Sequence, residues 1–95
     1  MSSEGNFLAV HNADRQRFEI LEDGSLAVLD YRMSHGAMML THTGVPREIE
    51  GRGVGGALVK AAFDHAQAQG LKVKPLCPFA RKWIQRHPEY AGMVE

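Results

Sequence analysis

Thr41-His42-Thr43-Gly44-Val45-Pro46-Arg47-Glu48-Ile49-Glu50-Gly51-Arg52-Gly53-Val54-Gly55-Gly56 runs without a break into Ala57-Leu58-Val59-Lys60-Ala61-Ala62-Phe63. A β-like run closes at the Gly44-Val45-Pro46 turn, a glycine cluster follows, and a helix-forming segment free of proline begins. Gly51, Gly53, Gly55 and Gly56 can adopt backbone angles closed to other residues and carry no side chain to block a ligand, so successive N–H groups can converge on one point. The helix that starts there adds unpaired N–H groups and the positive end of its dipole. This layout suits a phosphate or pyrophosphate.

Three glycine motifs compete for the loop. A Walker-type loop needs Gly-Lys followed by Ser or Thr, whereas Gly55-Gly56 is followed by Ala57-Leu58. The spacing Gly51-x-Gly53-x-x-Gly56 satisfies the dinucleotide fingerprint, but that fingerprint wants an acidic residue about 20 positions on. The corresponding stretch, Leu71-Lys72-Val73-Lys74-Pro75, is basic, and the chain is short for two nucleotide-binding halves. Glu50-Gly51-Arg52-Gly53-Val54-Gly55-Gly56-Ala57 resembles instead the coenzyme A pyrophosphate loop of the GCN5-related N-acetyltransferases. Their pattern is Gln/Arg-x-x-Gly-x-Gly/Ala at a helix start. Gly53 and Gly55 take the two small positions, while Glu50 stands where Gln or Arg is usual, so one side-chain contact of the family is missing and the backbone cradle is kept.

Upstream of the loop, four strands are predicted. Phe7 to Val10 is the first, after a flexible opening over residues 1–5, and Asn12-Ala13-Asp14 turns the chain. Arg15 to Leu21 alternates with Phe18 and Ile20 on one face and Glu19 on the other. Glu22-Asp23-Gly24-Ser25 is a tight-hairpin signal. Leu26 to Met33 is the third strand, Ser34-His35-Gly36 a turn, and Ala37 to Thr43 the fourth. Downstream, Val54 to Gln69 is predicted helical, with Val54, Leu58, Ala61 and His65 at helical spacing and Val59, Phe63 and Ala66 widening the apolar arc. Gly70 caps it. Leu71 to Leu76 is a fifth strand, and Phe79 to His87 a short helix that buries Ala80, Trp83 and Ile84 and stops at Pro88. The fold expected is α/β with α+β character: a four-stranded antiparallel meander, a fifth strand parallel to the fourth through a helical crossover, and a short C-terminal helix.

Composition narrows the function. The 95 residues suit one small domain over 1–95, and a formal net charge of zero argues against a nucleic-acid binder driven by bulk electrostatics. Residues 1–46 carry three Arg against six acids, and residues 47–95 carry eight Lys or Arg against five, so the half with the glycine loop is the basic one. The single cysteine excludes an internal disulfide, and no apolar run approaches the ~20 residues that cross a bilayer. No basic-then-apolar signal pattern opens the chain, so a reducing, cytoplasmic setting is expected, with no membrane partner. No metal is expected, and the chain should be a monomer or weak dimer.

The resemblance extends beyond the loop. Thr41-His42-Thr43-Gly44-Val45-Pro46, the glycine loop, and Leu76-Cys77-Pro78-Phe79-Ala80-x-x-Trp83-Ile84-x-x-His87-Pro88-Glu89-Tyr90 are together similar to the short, minimal acetyl-CoA-binding branch of the GCN5-related superfamily. The resemblance implies an acyl-CoA N-acyltransferase fold whose sheet parts between the fourth and fifth strands to receive the pantetheine arm. It implies acetyl-CoA as co-substrate, backbone bonds to that arm from Val45 beside Thr43, and a pyrophosphate held by Gly51, Arg52, Gly53, Val54, Gly55 and Gly56. Cys77, Phe79 and Lys82 would form the far wall.

Acetyl transfer to an amine requires a neutral amine, a donor for the carbonyl oxygen as it gains charge, and a proton for the departing thiolate. Backbone N–H groups near Thr43 to Val45 can be the donor. His42 is the first candidate base, since imidazole titrates near neutral pH and the end of the fourth strand faces the gap; a structural histidine bonded to a neighbouring strand is the plainer reading. Glu48 is the second candidate. Larger members resemble Asn-x-x-Ala-x-x-Phe-Tyr after the fifth strand, with the Tyr as acid. Aligned on Ala80, this chain has Ile84 at the Tyr place and Cys77 at the Asn place. Cys77 is therefore the candidate acid or transient acyl carrier, with Tyr90 a further possible donor. The amine acceptor is unidentified, small molecule or protein. A non-catalytic acyl-CoA sensor or adaptor remains the alternative.

Overall fold

The computed structural model of the chain describes residues 7–95. The expected flexible opening over residues 1–5 lies outside them. Strands β1 (Val10–Asn12), β2 (Arg17–Glu22), β3 (Ser25–Ser34) and β4 (Ala37–Gly44) are followed by helix α1 (Val54–Ala68), strand β5 (Lys72–Pro75) and helix α2 (Pro78–Gln85). They form one sheet in the order β1-β2-β3-β4-β5, antiparallel from β1 to β4 and parallel between β4 and β5. The meander and crossover expected from the sequence are both present. Single 3₁₀ segments at Arg47–Ile49 and Pro88–Met93 complete the described chain, and among the described residues no helix is long and apolar enough to cross a membrane.

Both tight hairpins follow from turn chemistry. Asp23 (φ 51°) and Gly24 (φ 76°) join Glu22 to Ser25, and His35 (φ 50°) and Gly36 (φ 79°) join Ser34 to Ala37. Two consecutive positive φ values define the turn whose twist matches that of the paired strands.

The first strand differs from expectation. It occupies Val10–Asn12, not Phe7 to Val10, because its register is set by pairing: Val10 lies opposite Glu19 and Asn12 opposite Arg17. Asn12 thus belongs to the strand, where its amide donates to Glu19 Oε2 (3.2 Å) while its Oδ1 accepts the Arg15 N–H (3.2 Å). Arg15 and Gln16, expected in β2, lie in the turn, and the Gln16 carbonyl accepts the Tyr31 N–H at 2.9 Å.

Alternation builds the core. Phe18, Ile20, Ala27, Leu29, Tyr31, Met38 and Leu40 point to the helical face, and all are buried. Against them α1 sets Val54, Leu58, Val59, Ala62, Phe63 and Ala66, a stripe in which Ala61 and His65 are only half-buried. Trp83 of α2 stacks on Phe63 with ring centroids 5.6 Å apart, so both helices share that face. The opposite face carries Arg17, Glu19, Leu21, Leu26, Val28 and Asp30, none of them buried. Val94 bridges Val73 beyond β5, and the Glu95 N–H donates to the Val73 carbonyl at 2.9 Å, which covers part of that outer edge.

An aromatic cluster ties β1 to α1. His11 stacks on Phe18 (4.5 Å), its Nε2 is hydrogen-bonded to the Tyr31 hydroxyl at 2.5 Å, and the His65 ring lies 4.4 Å away. Burial first, and then the charge of His65, hold His11 below the ordinary 6.5. The unfolded chain therefore binds the extra proton first, so stability is fully present above pH 6.5 and declines as pH falls through the window beneath it. Thermal melts at stepped pH should show that decline, and His11→Phe, which keeps the stacking, should flatten it. An identical slope in the variant would remove His11 as its source.

Candidate active site

The site begins where β4 and β5 separate. Their parallel pairing runs from Ala37 opposite Lys72 to Leu40 opposite Pro75. The Leu40 carbonyl then accepts N–H groups from both Leu76 and Cys77 at 3.0 Å, and the described pairing stops there. Prolines explain the stop. Pro75 has no N–H to extend a ladder, and Pro78 holds Cys77 in an extended conformation (φ −76°, ψ 146°) before opening α2. His42 to Gly44 continue to pair with β3 but have no partner on the β5 side.

A bulge widens the divergence. Asp30 faces His42 while Tyr31 faces Leu40, so Thr41 is an extra residue in β4. Its hydroxyl donates to the Asp30 carbonyl at 3.2 Å. Such an insertion bends the bulged strand and re-aims the residues after it. His42 becomes exposed, whereas Thr43 turns toward the buried Cys77, with Oγ1 and Sγ 3.3 Å apart. That contact joins β4 to the N-cap of α2.

The glycine loop lies next in the chain. Pro46 leads into the 3₁₀ turn whose Ile49, fully buried, anchors the loop to the core. Gly51 (φ 79°) and Gly53 (φ 87°) are left-handed, and Gly53 is the N-cap of α1. No side chain caps the helix, and its first turn contains no acidic residue. Among the described residues, none of the backbone bonds made outside the regular elements uses an amide between Gly51 and Gly56. The first-turn N–H groups have no acceptor within the helix by geometry, so their dipole end is left for an anion.

Phe79 closes this end. Its ring lies so near the first turn of α1 that a Cβ on Gly55 would sit 2.6 Å from its Cζ. Phe79 is still 44% exposed and Leu76 48%, which makes an apolar lip beside the gap. Gly55→Ala should displace the ring. Helix propensity gains up to about 1 kcal/mol, while overpacking costs about 1–3 kcal/mol, so urea unfolding should show a small net loss. In a Phe79→Ala background the same change should stabilise; a loss of equal size there would refute the packing account.

The remaining expected residues divide. Thr43 lies on the stretch of β4 without a β5 partner and Val45 just beyond it, while Cys77 is the N-cap of α2 and Phe79 stands in its first turn. The Arg52 guanidinium binds Asp23 of the β2–β3 hairpin at 2.5 Å, approaches Glu22 at 3.6 Å and donates to the Glu48 carbonyl at 3.3 Å. The bond to Asp23 holds it still more firmly protonated. Arg52 thus fastens the loop to the hairpin. Glu48 is exposed on the 3₁₀ turn, and Lys82 is exposed on α2. The Tyr90 hydroxyl donates to Asp64 on α1 at 2.6 Å, and its ring packs on Phe63 and Trp83. Ile84 is half-buried against the core. The sequence reading missed the Thr41 bulge and the Leu40 carbonyl that receives two amides; of these, only Pro75 and Pro78 left a signal.

The chain matches the family model described as GCN5-related N-acetyl-transferase over residues 17–93. It is 30% identical over 91 residues to Protein NATD1 of Xenopus tropicalis, covering 93% of this chain and 84% of the relative. Protein NATD1 of Homo sapiens is 32% identical over 81 residues, covering 82% and 72%. The NMR solution structure of a GCN5-like protein from Staphylococcus aureus superposes with a TM-score of 0.73 at 30% identity, covering 100% of this chain and 91% of that one. With a family model spanning most of its length and relatives at this identity, this chain belongs to the GCN5-related N-acetyltransferase family.

Proposed function

We propose that the protein binds acetyl-CoA and transfers its acetyl group to a primary amine. The single observation carrying this reading is the uncapped, glycine-lined start of α1, which follows in the chain the stretch of β4 left without a β5 partner. In this proposal amides between Gly51 and Gly56 hold the diphosphate, and the extended arm lies along Thr43 to Val45 in place of a sheet partner. The thioester supplies the activated acetyl group. His42 removes the proton from the attacking amine nitrogen, and backbone N–H groups near Val45 face the carbonyl oxygen as it gains charge. A C–N bond forms, the C–S bond breaks, and the departing thiolate takes a proton from Cys77, whose thiol is aligned by Thr43. Glu48 is the second candidate base and Lys82 a contact for the cofactor's phosphates.

Isothermal titration with acetyl-CoA and desulfo-CoA, followed by mass spectrometry with a panel of alkyl, aryl and peptidyl amines, tests the proposal. Binding of both and acetylation of at least one amine is expected. No binding at high micromolar ligand would end the reading. Ile84, standing where larger members have a proton donor, favours a second reading, a non-catalytic acyl-CoA sensor. Tight binding with no product from any amine, unchanged by His42→Ala, would select it.

A further inference from the structure

His42 and Gly44 lie two residues apart on β4 and so project to the same face of the sheet, the one away from the helices. A Cβ built on Gly44 would stand 3.2 Å from His42 Nε2, 3.9 Å from its Cδ2, and 3.7 Å from Val28 Cγ2. The first distance is below the ~3.5–4.0 Å of unstrained contact between heavy atoms. The imidazole therefore leans along the strand over a bare stretch of backbone, with Nε2 toward the end of β4 that lacks a β5 partner. Gly44 is not among the glycines with positive φ, so its backbone is open to any residue and the absence of a side chain serves space, not conformation. Gly44 cannot back away, because it is paired to Val28 on β3.

We propose that Gly44 is a positioning residue: by offering no side chain it lets the His42 imidazole lean along β4 with Nε2 over Gly44, in the stretch of β4 that has no β5 partner. This rests on the acetyltransferase reading for its consequence, since Nε2 is the atom that would take the amine proton. It does not rest on that reading for its geometry. Gly44→Ala keeps the backbone and the pairing to β3 and pushes the ring outward.

Three measurements test the seating. In the wild-type protein, an NOE between His42 Hδ2 and the Gly44 Hα protons is expected, and its absence overturns the proposal whatever the variant does. Carbethoxylation by diethyl pyrocarbonate, read by mass spectrometry, should be severalfold faster at His42 in Gly44→Ala, with His35 as internal reference; an unchanged rate overturns it. With any amine the wild type acetylates, Gly44→Ala should lower kcat on the order of tenfold. In a His42→Ala background it should cost nothing further, and an equal loss there overturns the proposal. Should the wild type acetylate no amine, the transfer reading fails by itself while the NOE and the carbethoxylation rate still decide the seating.

Discussion

Gly53→Val is expected to abolish acetyl-CoA binding at concentrations that saturate the wild type. Gly53 caps α1 at φ 87°, a conformation in which a β-branched residue is a steric outlier costing roughly 1–3 kcal/mol. The chain can escape that strain only by rotating the peptide planes that aim the first-turn amides. Each hydrogen bond between an amide and a charged oxygen contributes about 1.5–3 kcal/mol, so losing two raises Kd by roughly 10²–10⁴-fold. Gly70→Val is the matched control. Gly70, just past the end of the same helix, also has positive φ (70°), and a Cβ there meets nothing within 4 Å. The two variants should lose similar stability in thermal melts, while only Gly53→Val loses affinity by calorimetry. Retention of near wild-type affinity by Gly53→Val would place the diphosphate elsewhere.

His42→Ala should lower kcat by about 10²–10⁴-fold, the range for removing a positioned general base, with acetyl-CoA affinity unchanged. His42 is exposed, its ring makes no hydrogen bond or ion pair among the described residues, and truncation leaves no buried group unpaired. Stability should therefore barely move, and any kinetic loss reports on the reaction. Thiol release in the presence of an amine identified by mass spectrometry gives the rate, and added imidazole should restore part of it. Glu48→Gln, altering the other candidate, should cost far less. A reversed order would transfer the base role to Glu48, and equal small effects would leave the amine to lose its proton to solvent.

Much of this site was legible because the residues that build it break local rules. Gly51 and Gly53 punctuate an otherwise helical region, and the structure uses both at positive φ. Asp23-Gly24 and His35-Gly36 announced their hairpins for the same reason. Arg52 shows the opposite case: grouped with the loop by its position in the chain, its guanidinium instead meets Asp23, 29 residues earlier. No local pattern encodes that contact. The first strand was placed too early because Phe7 to Val10 is the apolar run, while pairing with β2 depends on hydrogen bonds that Val10, His11 and Asn12 make regardless of hydropathy.

The amino-acid order by itself determined the succession of elements, the two tight turns and the uncapped glycine start of α1, because each is a property of a few adjacent residues and the backbone angles they permit. Beyond the prolines that end β5, tertiary structure decided how the strands part. The bulge at Thr41 exists only through register against β3, the Thr43–Cys77 contact joins residues 34 apart, and the leaning of His42 over Gly44 needs β3 to hold that glycine in place. Side-chain period and turn chemistry act over a few residues, whereas register is a balance struck across the whole sheet.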